Sequence, residues 1–143
     1  MNGVVLIQTD TTVGFVSLDA QKLAATKARP PEKPFLKTYG TFAAYSKDGR
    51  IPPAFRRELR RKKRTTYVVK GSAFRIVSAG PYHDFLKPWG WAYSTSANAS
   101  GHRFDEAFAR EKADLVVEDR RGLFEAPPSA IYKINHRKKK RIR

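Results

Sequence analysis

The chain contains no cysteine. Disulfides, thiolate metal sites and a cysteine nucleophile are excluded together, and the composition suits a reducing compartment, with the cytoplasm as the expectation. Long apolar runs are missing too. Val4 to Ile7 is too short for a signal-peptide core or a membrane span and has no basic segment before it, so no membrane attachment is expected. There is no glycine-rich Walker loop, which excludes a P-loop fold. Acidic residues are scarce, and the histidines (His83, His102 and His136) are scattered. No cluster of carboxylates or imidazoles is in sight that would hold a metal, so none is expected. Internal repeats are absent, and the one low-complexity segment is the basic C-terminus.

What is present is a core and a strong positive charge. At 143 residues, with 41% hydrophobic and 12% aromatic residues, the chain has the size and composition of one self-sufficient domain. A domain this long buries roughly two-thirds of its unfolded surface. Lys and Arg number 29 against 13 acids, a formal net charge of +16. A field of that sign calls for polyanionic partners such as nucleotide, RNA or DNA. The excess is clustered at Arg56-Arg57, Arg60 to Arg64 and Arg137 to Arg143. The competing reading of these blocks is a solvated face and a frayed tail. Anionic lipid is a poorer fit, because no wide apolar face accompanies them. The expected division is a folded domain over 1–135 and a basic tail over 136–143.

Apolar patterning predicts strands at Gly3 to Gln8, Phe35 to Tyr39, Trp89 to Thr95, Leu115 to Glu118 and Ala130 to Ile134. Thr65 to Lys70 and Ala73 to Val77, separated by Gly71-Ser72, predict a hairpin. Helices are expected over Ala20 to Lys27 behind an Asp19 cap, Ala54 to Arg61 behind Pro52-Pro53, His83 to Lys87, and Asp105 to Lys112. Strands interleaved with helices predict an α/β fold built on one twisted, mixed sheet.

Three segments placed at strand ends combine short hydroxyl residues with cations. Thr9-Asp10-Thr11-Thr12-Val13-Gly14 follows the first strand; its hydroxyls suit a polar substrate and Gly14 admits a close backbone. Asp10 is either a base or simply the organiser of that turn. Lys27-Ala28-Arg29-Pro30-Pro31-Glu32-Lys33-Pro34 is a stiff segment carrying three cations, with Arg supplying a planar fork for phosphate and Lys a movable charge. A cation at a helix C-terminus is also explained by the helix dipole alone. Ser94-Thr95-Ser96-Ala97-Asn98-Ala99-Ser100-Gly101 offers hydroxyls and accessible N–H groups, a natural cradle for phosphate or adenosine. Ligands of open α/β sheets collect at such strand ends.

The order and spacing of these motifs resemble the YrdC family of threonylcarbamoyl-AMP synthases and their relatives. That family carries Thr-Asp/Glu-Thr-Val-Tyr-Gly after its first strand, Lys-x-Arg-Pro one helix later, and Ser-Thr-Ser-Ala-Asn-x-Ser-Gly near the far end. The resemblance spans nearly the whole chain and implies a YrdC-like α/β domain, a twisted mixed sheet with flanking helices and a basic concave cleft. It also implies ATP-dependent synthesis of L-threonylcarbamoyl-AMP from L-threonine, bicarbonate and ATP. Mg²⁺ would arrive with the ATP, pyrophosphate would be released, and a downstream transferase complex would act on tRNA. By the same resemblance, Lys27, Arg29, Ser96, Asn98, Ser100 and, loosely, Arg141 would bind ATP. Thr9, Lys33, Arg75, Ser94 and Ser129 would bind threonine, Arg75 through its carboxylate. A non-catalytic module of the same fold that binds tRNA or other RNA is the alternative, with Pro88-Trp89-Gly90-Trp91 as a stacking candidate.

The sequence also departs from the family pattern. Val13 stands where the motif has Tyr, Lys62-Lys63-Arg64-Thr65-Thr66 replaces a Pro-Gly-Pro-x-Thr segment, and Ala130 replaces a Thr after Ser129. The connection from there to Arg75 and the chain as a whole are short.

Overall fold

Residues Val5–Gln8, apolar except for Gln8, form strand β1, fully buried, as a strand covered on two faces must be. The computed structural model describes all 143 residues. In chain order β1 is followed by β2 (Val13–Ser17), α1 (Ala20–Lys27), β3 (Leu36–Tyr39), α2 (Phe42–Ser46), a 3-10 turn (Pro53–Phe55) and α3 (Arg56–Arg61). Then come β4 (Thr65–Val69), β5 (Ser72–Ile76), α4 (Pro81–Leu86), β6 (Trp91–Ser96), α5 (Glu106–Lys112), β7 (Leu115–Val117), β8 (Ala130–Ile134) and β9 (Lys139–Arg141). All nine strands join one mixed sheet in the order β7-β1-β2-β6-β3-β5-β4-β8-β9. No helix is long and apolar enough to cross a membrane.

Side-chain alternation along the strands sorts the sheet into two faces. On one face, α1 and α5 cover β1 and β2 through Leu6, Phe15, Leu23, Ala24 and Ala109. Farther along the same face, α2 and α3 cover the other half through Tyr45, Leu59, Tyr67, Phe74 and Ile134. On the opposite face only α4 packs, with Tyr82 and Leu86 against Val5, Ile7, Val16 and Ala92. The rest of that face holds Ser94, Thr66, Arg75 and Ser129, which are buried yet polar. That uncovered, polar half-face is the floor of a cleft.

Most expected elements form close to their expected places, and three unexpected ones appear. Strand β2 is fully buried and pairs antiparallel with both β1 and β6. Its glycine and its closeness to β1 hide it in the sequence behind the Thr-rich turn. Helix α2 is a single short turn capped by Thr41. Strand β9 is all cationic and exposed, so no apolar pattern announces it. It pairs antiparallel with β8, Tyr132 opposite Arg141 and Ile134 opposite Lys139. Segment 136–143 is thus partly an edge strand of the sheet rather than a trailing tail.

Helix α1 ends in a way that matters for the cleft. Asp19 caps its start, accepting from the Gln21 and Lys22 N–H groups at 2.9 and 3.2 Å. At the other end Ala28 takes a left-handed conformation, φ 53°, and the Arg29 N–H returns to the Ala24 carbonyl at 3.0 Å. This tight stop turns Lys27 and Arg29 toward the cleft. A non-glycine residue pays for the left-handed geometry in steric strain, so Ala28→Gly is expected to raise stability by about 0.5–1 kcal/mol. The check is an upward shift of the urea midpoint at unchanged slope.

Candidate functional site

The cleft encloses about 570 Å³, a volume ordinary for ligand sites, and only a few of its lining residues are apolar. Nine of the sequence-derived residues meet there: Thr9, Lys27, Arg29, Arg75, Ser94, Ser96, Asn98, Ser100 and Ser129. Their positions follow from the sheet. β6 runs antiparallel to both β2 and β3, and its C-terminal end carries Ser94 and Ser96 beside Gly14 of β2. Gly14 is required by this closeness, because a Cβ there would lie 2.9 Å from the Thr95 carbonyl oxygen and 3.0 Å from the Thr9 methyl.

Lys27 is a clasp for the serine-rich loop. Its ammonium donates to the Ser96 carbonyl at 2.7 Å, the Asn98 carbonyl at 2.6 Å and Asn98 Oδ1 at 3.2 Å. A longer bond reaches Ser96 Oγ at 3.4 Å. Asn98 completes the loop, its amide donating to the carbonyls of Ala99 and His102. Burial, and then the neighbouring Arg29 guanidinium, pull the Lys27 ammonium down to about 8. A bound phosphate would favour the protonated form, so binding above pH 8 takes up a proton and affinity falls as pH rises through that value. Calorimetric titration of ATP at pH 8.5 in Tris and in HEPES should therefore give buffer-dependent enthalpies, and at pH 6.5 it should not.

Arg29 carries a donor that the fold leaves unpaired. One Nη donates to the Pro34 carbonyl at 2.8 Å, and the guanidinium lies 4.6 Å from the centre of the Phe35 ring. Its Nε–H is buried without any partner. Buried donors are nearly always paired in native proteins, so this one is available to an acceptor, water or ligand, that enters the cleft.

Across the cleft Arg75 is buried and held by Asp10. Its Nε donates to both Asp10 carboxylate oxygens at 3.2 and 3.0 Å, and Nη2 donates to Oδ1 at 3.0 Å. Nη1 donates to Thr66 Oγ1 at 3.3 Å. Three of the five guanidinium N–H groups are thereby used, and two remain for a ligand. Asp10 is accordingly the counter-ion of Arg75, a role neither of its two sequence readings contained. Thr66 and Ser129 share a 2.7 Å hydroxyl bond beside them. Thr9 lines the cleft, but its hydroxyl serves its own turn, donating to the Thr12 carbonyl at 2.6 Å and accepting from the Thr11 N–H at 3.2 Å.

Two expected residues lie elsewhere. Lys33 opens onto a second cavity of about 560 Å³ with Lys37, Tyr39 and Tyr93. Arg141 is opposite Tyr132 in register and therefore points to the reverse face, its guanidinium 5.9 Å from that ring. Arg143 takes the place beside the cleft instead, donating to the Ser129 carbonyl at 3.0 Å and to Ser129 Oγ at 3.3 Å. Burial, and then Arg75, lower its affinity for its proton. Arg143 and Thr66 went unread in the sequence; the pairing of β9 and β4 with β8 is what brings them in.

The departures from the family motifs sort by face as well. Val13 is buried in the core with Leu6 and Phe15, away from the cleft. Ala130 is absent from the cleft lining, whereas its neighbours Ser129 and Ile131 belong to it. Thr66 supplies a hydroxyl where the Pro-Gly-Pro-x-Thr segment was replaced. His, Asp and Glu nowhere gather into a group that would hold a metal ion.

No protein-family model matches the sequence, and no curated protein is similar to it. Solved structures are similar in fold. The class is that of the YrdC/Sua5-like α/β domain, the fold implied by the three motifs. P. abyssi Sua5 (H234A/Y235A) superposes with a TM-score of 0.80 at 16% identity, over 99% of this chain and 52% of that one. The same protein complexed with L-threonine gives 0.78 at 15% identity, over 99% and 50%. E. coli YciO gives 0.79 at 16% identity, over 99% of this chain and 82% of that one. HypF in a phosphate- and nucleotide-bound form gives 0.72 at 19% identity, over 99% and 27%. The chain thus spans about half of Sua5 and most of YciO.

Proposed function

We propose that the cleft binds MgATP and L-threonine together and, with bicarbonate, forms L-threonylcarbamoyl-AMP and pyrophosphate. The observation that carries this reading is the unpartnered, buried Arg29 Nε–H in a cation-rich cavity that unites all three motifs. The fold shared with a Sua5 bound to L-threonine and with a nucleotide-bound HypF supports it.

The chemistry needs alignment and charge neutralisation rather than a nucleophilic side chain. The threonine amine and bicarbonate condense to a carbamate with loss of water. The carbamate oxygen then attacks the α-phosphorus, and pyrophosphate leaves. The two free N–H groups of Arg75 suit the threonine carboxylate, with the buried Ser94 hydroxyl beside it. Arg29 faces the triphosphate. Lys27 fixes the loop whose Ser96 and Ser100 hydroxyls line the nucleotide side, and it lends positive charge to the same region. Mg²⁺ enters as part of the substrate MgATP, held by phosphates and water. Asp10, the acid of the first motif, is committed to Arg75. The product would pass to a transferase complex acting on tRNA, in the cytoplasm.

Pyrophosphate release from ATP should require both L-threonine and bicarbonate and should vanish in Arg29→Met. Release indifferent to threonine, from well-folded protein, would remove this reading.

A further inference from the structure

The second cavity, about 560 Å³, lies on the reverse face of the sheet. Register places Tyr93 of β6, Lys37 of β3 and Phe74 of β5 in one cross-strand row. Their neighbours Ser94, Leu36 and Arg75 point the other way, into the cleft. The row bridges the two halves of the helix-bearing face, Tyr93 packing on the α1 side and Phe74 on the α2 side. The cavity opens between those halves, walled by the α1–β3 connection at Lys33 and by the turn after α2 at Asp48 to Arg50. It meets the cleft only at Pro34 and Ala73. Tyr45 of α2 is 6% exposed, stacked on Phe74 at 3.8 Å and edge-on to Tyr39 at 5.3 Å. Tyr39 donates to Asp48 at 2.6 Å, whereas the Tyr45 hydroxyl bonds to no group of the protein. A Cβ at Gly49 would collide with that oxygen, so the glycine keeps the hydroxyl open. Burial, and then the charge of Asp48, raise the Tyr45 phenol, which therefore stays a neutral donor.

We propose that this cavity binds a small aromatic anion, a planar ring bearing phosphate or carboxylate. Four cations line it against one acid, Asp48. Asp48 is engaged by the Tyr39 phenol and lies 3.9 Å from the Lys37 ammonium, which itself sits 4.5 Å from the centre of the Trp91 ring. Lys33, Arg50 and Lys70 are exposed and pair with no carboxylate. Arg50 and Lys70 also border one adjoining cavity, which puts them at the same end, beside Gly49 and the Tyr45 hydroxyl. That end receives the anionic group, as a charge-assisted acceptor for the phenol. The half-buried Tyr93 ring in the middle of the sheet receives the planar body by offset stacking. A bare inorganic anion is a poorer occupant, because the free cations are exposed and hold their own water. A neutral ring leaves three cations and a buried hydroxyl unanswered. The volume is that of a small-molecule site, and its two walls leave no broad face for a protein. This inference does not rest on the cleft's chemistry.

The test is a fluorescence-anisotropy titration of the full chain with 2-naphthyl phosphate at neutral pH. Expected is saturable binding that 2-naphthoate competes away, while inorganic phosphate and neutral 2-naphthol at the same concentrations do not. Arg50→Gln/Lys70→Gln and, separately, Tyr45→Phe should each weaken binding about 10-fold. Both should keep the parental urea midpoint, because none of the groups they remove has a partner in the free protein. Lys27→Met, which alters the cleft alone, should bind the probe like the parent. The inference is overturned if no saturable binding occurs, or if both cavity variants bind like the parent. It is equally overturned if Lys27→Met weakens the probe as much as they do, which would put it in the cleft. Displacement by inorganic phosphate or by 2-naphthol as effective as that by 2-naphthoate also overturns it, by reducing the site to bare charge or bare apolar surface.

Discussion

Replacing Arg75 by methionine is expected to destabilise the protein by roughly 3 kcal/mol, because it leaves the Asp10 carboxylate without its counter-ion. The Arg75 side chain is 3% exposed and that of Asp10 is 14% exposed. Water can therefore reach Asp10 only at its edge, and the loss falls at the lower end of what breaking a buried pair costs. The same change removes the donor to Thr66 and frees the Thr66–Ser129 pair to rotate. Adding Asp10→Asn removes the stranded charge, so the double variant should recover most of the lost stability in urea denaturation. It should recover none of the L-threonine affinity, since the two ligand-facing N–H groups are gone in both. Recovery of stability without binding would separate the structural role of Arg75 from the ligand-binding role proposed for it.

Lys27→Met is expected to weaken ATP binding by about 100-fold or more, equivalent to at least ~2.7 kcal/mol. Two losses combine. A positive charge disappears beside Arg29, and the carbonyls of Ser96 and Asn98 lose the ammonium that holds them at 2.7 and 2.6 Å. Each polar group left unsatisfied costs about 1–3 kcal/mol, so the loop is expected to move and water to enter. Lys27→Arg should fail to rescue, because a planar guanidinium does not fit among oxygens spaced for a compact ammonium. Arg29→Met should behave differently. It removes an Nε–H that has no partner in the free protein and, besides the Phe35 contact, only one solvent-exposed bond to the Pro34 carbonyl, so affinity falls while the urea midpoint moves little. Calorimetry on the three variants distinguishes a clasp from a phosphate ligand.

Much of this site is legible in the sequence because its motifs are local. The helix from Asp19 to Lys27, its proline-bounded exit and the serine-rich loop each carry their own signals of capping, breaking and small-residue turns. The partners that close the cleft are not local. Arg143 reaches Ser129 only because an all-cationic strand, without apolar alternation, adds to β8. Asp10 and Arg75 are 65 residues apart, and no pattern in either segment says that they pair. The register of β9 decides that Arg141 points away, and the odd–even alternation of β8 turns Ala130 from the site while keeping Ser129 in it. Motifs name residue types; strand pairing decides which of them face one another.

The most direct measurement is mass spectrometry of the product formed from ATP, L-threonine and ¹³C-bicarbonate by the full chain. The expected result is threonylcarbamoyl-AMP heavier by one carbon label than that made from ordinary bicarbonate, together with pyrophosphate, and no adduct from the Arg29→Met variant. Failure to form any labelled adenylate, from protein that binds both ATP and L-threonine, would contradict the synthesis and leave the cleft a binding site only.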